Sequence, residues 1–173
     1  MDMNKQGGNS YFDIETLCNE AVERNFRGDP NSVGSVISQA TYDLVYRTFV
    51  KWCARESEAG RAVKVDGFGI IGYEQVRDNV RILYVKLQES FLNRFNLSYK
   101  PEMIELENES KSVFVEPLTK PNFAQMAKNA NVDKGVFQTV LNNIFHVVGE
   151  LLAENNIVEI DLEELGKFFA NNG

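Results

Sequence analysis

Residues Tyr42–Asp66 read YDLVYRTFVKWCARESEAGRAVKVD, and residues Phe137–Asp161, ninety-five positions later, read FQTVLNNIFHVVGELLAENNIVEID. Apolar residues recur in register: Tyr42 with Phe137, Val45 with Val140, Phe49 with Ile144, Trp52 with Val147 and Cys53 with Val148. After a polar break, Val63 matches Val158, Val65 matches Ile160 and Asp66 matches Asp161. Helical spacing, a break, then strand alternation predict a long amphipathic helix feeding a β-strand in each copy. The fold class is therefore α+β, with two tandem helix–helix–β-hairpin units.

Upstream of the first copy, Asp13 is placed to cap a short helix whose apolar side is Ile14, Leu17, Ala21 and Val22. The Arg27–Ser32 stretch is a dense turn signal, and Ser35 is expected to open the long helix, carrying Leu44 on its apolar side. Gly60 ends that helix. Val63 and Val65 begin a strand, Gly67 and Gly69 kink it, and Ile70–Val76 and Val80–Leu87 form a hairpin across Arg77-Asp78-Asn79. A short helix over Glu89–Asn96 follows. In the second half Thr119 is expected to cap a helix with Pro121 in its first turn, and Asp133 to cap the long helix that Asn155-Asn156 break. The expected boundaries are a flexible tail at 1–10, a first unit at 11–97, an acidic linker at 98–117 and a second unit at 118–173. The strand Ile157–Leu162 has only eleven residues after it, so the second unit reads as incomplete. An uncovered apolar strand predicts self-association unless the first unit, another chain or further residues cover it.

Hydrophobic residues make up 43% of the 173, with 12 Phe, 6 Tyr and 1 Trp, enough for compact cores. The net charge of −7 lies mostly in residues 98–117 and 118–173, at −3 each, and no segment is a basic patch. A duplex-binding surface needs clustered cations, and an acidic field repels that polyanion. Cys18 and Cys53 read as buried free thiols in a reducing cytosol. No apolar run approaches 18 residues and the N-terminus lacks a signal-peptide core, so no membrane association is expected. Gly67–Gly72 spells GxGxxG, but a hairpin pattern follows where a dinucleotide site needs a helix. His146 is the sole histidine, with no acid or thiol expected near it, and a zinc set cannot be assembled. No catalytic residue, cofactor or metal site is expected.

The order helix, helix, strand, glycine corner and hairpin resembles the HU/IHF histone-like fold. Asn122–Ile160, NFAQMAKNANVDKGVFQTVLNNIFHVVGELLAENNIVEI, is similar to the start of a bacterial HU subunit, and Val65–Ile71, VDGFGII, resembles the HU glycine corner. Over residues 11–168 the tandem arrangement resembles the coiled-coil domain-containing protein 81 family, in which two divergent HU domains flank a segment like Gln88–Pro117. That resemblance implies a cytoplasmic, cytoskeletal protein of the centrosome, basal body or ciliary axoneme. It also implies a scaffold whose partner is tubulin or another axonemal or centrosomal protein. HU subunits are obligate dimers, so the two units are expected to pair with each other or with another chain. HU proteins bend DNA with long basic arms and a wedge residue. Here the turn is only Arg77-Asp78-Asn79, and Arg77, Arg81 and Lys86 are offset by Glu74 and Asp78. Nucleic acid is accordingly the alternative partner, for a divergent histone-like binder. The leading reading is a non-enzymatic, microtubule-associated interaction module that meets an acidic partner through Arg47, Lys51, Arg55, Arg61 and Lys64.

Overall fold

Polar side chains that take up the first free amides set where the helices begin. A computed structural model describes residues 10–28, 37–77, 80–98 and 118–171. Asp13 accepts from the Thr16 amide at 2.9 Å and starts α1 (Ile14–Gly28). Ser38 accepts from the Thr41 amide at 3.3 Å and starts α2 (Gln39–Glu58), so the cap is Ser38 and not Ser35, which lies outside the described residues. The Arg27–Ser32 turn beyond Gly28, the Asp78-Asn79 turn and the 99–117 part of the expected linker also lie outside them. A short α3 spans Glu89–Arg94. Asn122 accepts from the Gln125 amide at 3.1 Å and starts α4 (Phe123–Ala130). Thr119 is therefore not the cap: it lies too far upstream to reach those amides and sits in a strand. Asp133 accepts from the Gly135 and Val136 amides at the start of α5 (Lys134–Ala153).

The described strands form two mixed sheets. β2 (Ala62–Val65) pairs antiparallel with β3 (Gly69–Arg77), which pairs antiparallel with β4 (Val80–Leu87). The corner between β2 and β3 needs its glycines: Gly67 has φ +79°, and a Cβ on Gly69 would overlap the Lys86 carbonyl. GxGxxG thus runs into a strand, not a phosphate-binding helix. In the smaller sheet, β6 (Ile157–Asp161) pairs antiparallel with β7 (Lys167–Ala170).

Each sheet also takes a short parallel strand from the other half of the chain. β1 (Tyr11–Phe12) sets Tyr11 opposite Ile157 and Phe12 opposite Val158. β5 (Leu118–Thr119) sets Leu118 opposite Ala62 and Thr119 opposite Val63. Ile157 and Val158 stand ninety-five positions after Ala62 and Val63, so the two additions occupy matching places in the repeat. The orders are β4-β3-β2-β5 and β1-β6-β7. The expectation of an unpaired strand at Ile157–Leu162 is corrected: β6 has a neighbour on both edges. A 3-10 turn at Glu163–Leu165 and Gly166 at φ +124° carry the chain round to β7.

A single hydrophobic cluster draws on both halves. α1 packs against α2 and α5, and α4 packs against the same two long helices. Phe49, Trp52, Phe137, Ile144 and Phe145 are all buried. Phe145 of α5 stacks on Phe68 of the glycine corner at 4.2 Å and meets Phe49 of α2 edge-on at 5.7 Å. The series continues through Phe91 to Phe95 of the α3 end. Gly149 lets Phe95 lie against α5, because a Cβ there would overlap its ring. α5 is long and apolar enough to cross a bilayer by length and composition, yet much of it is buried within the protein. Leu44, expected on the apolar side of α2, is 42% exposed because it falls at the edge of the stripe.

Candidate interaction surface

α2 divides its residues by spacing. Val45, Phe49, Trp52 and Cys53 are buried, while Arg47, Lys51 and Arg55, four residues apart, are exposed on one face. Arg55 lies in the last turn, where a cation also complements the helix dipole. The other two candidate cations stand apart from this stripe. Arg61 lies beyond the helix end in an ion pair with Glu56, which raises the Arg61 pKa. Lys64 is half-buried in β2, opposite Ile70. The sequence candidates therefore fall into a three-residue stripe and two separate positions.

A second charged set joins α1 to α5. Arg24 contacts Glu20 at 2.9 Å, Glu150 at 3.1 Å and Glu154 at 2.9 Å. Its bond to Glu154 is the main cause that lowers the Glu154 pKa. His146 Nε2 lies 2.9 Å from Glu150 Oε1, and its Nδ1 lies 3.0 Å from an Arg94 guanidinium nitrogen. Guanidinium only donates, so Nδ1 accepts and the neutral ring carries its proton on Nε2, toward Glu150. The expectation of no acid near His146 is corrected: Glu150 sits one helical turn on, a spacing readable in the sequence. Among the described residues no cysteine or serine is bonded to this pair. Burial, with help from Asp43, pushes the Cys18 thiol up to about 12, and burial raises Cys53 further.

On the small sheet, Glu159 of β6 accepts from the Tyr11 hydroxyl and pairs with Lys167 Nζ at 3.1 Å. The Tyr11 bond is the largest cause that lowers the Glu159 pKa, and the same bond raises Tyr11 to about 12. This contact ties β1 to β6 and β7. Among the described residues no cluster of three or more His, Cys, Asp or Glu could hold a metal ion.

Residues 117–173, which carry β5, α4, α5, β6 and β7, match the family described as CCDC81 eukaryotic HU domain 2. The match is consistent with a CCDC81-family protein. No curated protein matches the chain. Five described helices with two mixed sheets are compatible with an α+β HU-like fold, and the HU-like domain family of CCDC81 is not typically enzymatic.

Proposed function

We propose that the chain is a non-enzymatic structural module in which two HU-like units are paired within one polypeptide. The exposed stripe Arg47, Lys51 and Arg55 docks on the acidic surface of a cytoskeletal filament, with tubulin in a ciliary axoneme or centrosome as the leading partner. The observation that carries this reading is the reciprocal strand addition, β1 onto β6 and β5 onto β2. With α1 and α4 each also lying on both long helices, the apolar faces that an HU subunit turns to its mate are occupied, and contact with others is left to outer surfaces such as the α2 stripe. The filament location rests on the family resemblance.

The test is co-sedimentation with microtubules. The wild-type chain is expected to pellet, and R47Q/K51Q/R55Q to lose most of that binding as opposite-charge attraction is removed. A wild-type chain that stays in the supernatant at low salt contradicts the filament reading. Duplex DNA is expected to bind weakly at physiological salt, given the net charge of −7 and a hairpin whose paired strands end at Arg77 and Val80. Submicromolar DNA affinity in fluorescence anisotropy favours the histone-like alternative instead.

A further inference from the structure

Asn142 and Asn143 are adjacent, each three or four residues from both Thr139 and His146, and the four make a polar stripe on one side of α5. The stripe lines a cleft of about 460 Å³, closed by Asn25 of α1, the Asp66–Phe68 corner and the α3 end with Arg94 and Phe95. That size falls within the roughly 300–1,000 Å³ of ligand sites. Arg94 is the unusual group in it. Its guanidinium lies 5.3 Å from the centre of the Phe95 ring and 3.0 Å from His146 Nδ1, yet no carboxylate among the described residues pairs with it. Arg24 and Arg61, by contrast, are each held by glutamates. Asn25, Thr139 and Asn142 are exposed, and no described group hydrogen-bonds their side chains.

We infer that this cleft binds a short acidic peptide segment, with one carboxylate on Arg94 and the peptide main chain on Asn25, Thr139 and Asn142. Stacking on Phe95 and the bond to His146 orient the guanidinium beforehand, which lowers the ordering cost of binding. Side-chain amides and a hydroxyl offer both donors and acceptors, which matches main-chain N–H and C=O groups. Asp66 in the wall, whose exposed pair with Lys120 at 3.6 Å offsets its charge only in part, disfavours a second carboxylate, so the cleft selects a single acid among neutral neighbours. This site shares no residue with the α2 stripe and goes beyond the filament reading.

The experiment is fluorescence anisotropy on the 173-residue chain with fluorescein-labelled Ala-Ala-Glu-Ala-Ala and its Gln counterpart. The Glu peptide is expected to bind at least about tenfold more tightly, as a charge-assisted bidentate bond supplies. R94Q is expected to abolish that preference and R94K to lose most of it, both with an unchanged circular dichroism melt. N142A is expected to weaken both peptides alike, and R47Q/K51Q/R55Q to change neither. Equal binding of the two peptides by the wild type, or a preference that survives R94Q, overturns the inference. So does more effective displacement of the bound peptide by an oligonucleotide than by unlabelled Glu peptide.

Discussion

Phe145 lies at the junction of three elements, with Phe68 stacked on it and Phe49 against its edge. Removing that ring leaves a cavity that α2, α5 and the glycine corner cannot all close. Phe145→Ala is expected to cost about 3–5 kcal/mol in chemical denaturation, and a loss under about 1 kcal/mol would mean the site is not packed. Gly149→Ala is expected to cost about 1–3 kcal/mol, because the new Cβ must displace the Phe95 ring. A neutral result in the same denaturation would show that α3 does not hold Phe95 against α5. The large core residues were legible because the repeat marks them twice. Phe95 and Gly149 were not, since their contact joins α3 to α5 and leaves no spacing to read. His146 with Glu150 is legible as a four-residue step on one helix.

The long helices and the β3–β4 hairpin were readable at the level of elements, since periodicity needs about ten residues to declare itself. β1, β5 and β7 have two to four residues each and exist through their tertiary pairing. Asn122 displaced Thr119 as a cap for the same reason: pairing of Thr119 with Val63 defines the strand first. Deleting residues 1–12 removes β1, the Tyr11–Glu159 bond and one covered edge of β6 while keeping the Asp13 cap of α1. The shortened chain is expected to melt several degrees lower and to aggregate in light scattering; an unchanged melt would mean β1 contributes nothing. The pH response also belongs here. Glu154, Glu159 and Asp13 have lowered pKa values, through Arg24, Tyr11 and Thr16 respectively. The stability they supply is present above the unfolded carboxylate range near about 4 and is lost as pH falls through it. Cys18 and Cys53 are raised by burial, so their contribution is complete below the unfolded thiol value of about 8.5 and is lost as pH rises beyond it. Calorimetry is expected to show a melting plateau between about pH 5.5 and 8 with a decline on both sides; a rising melt above pH 9 would contradict buried thiols.

For the whole molecule, the sequence carried the order of elements through its repeat, but it grouped Arg47, Lys51 and Arg55 with Arg61 and Lys64, which the fold sets elsewhere. It did not carry the cleft, whose residues come from α1, the glycine corner, α3 and α5 and meet only after folding. Nor did it carry the exchange of β1 and β5, which covers β6 from within the chain and so removes the open edge on which the expectation of self-association rested. Intramolecular pairing is tested most directly by light scattering combined with hydrogen exchange over a dilution series. A constant mass near 19.6 kDa is predicted, with slow exchange of the Ile157 amide, which donates to the Ser10 carbonyl at 2.9 Å, at every concentration. A mass that doubles with concentration, together with Ile157 exchange that quickens on dilution, would show that a second copy supplies β1 and would contradict the pairing.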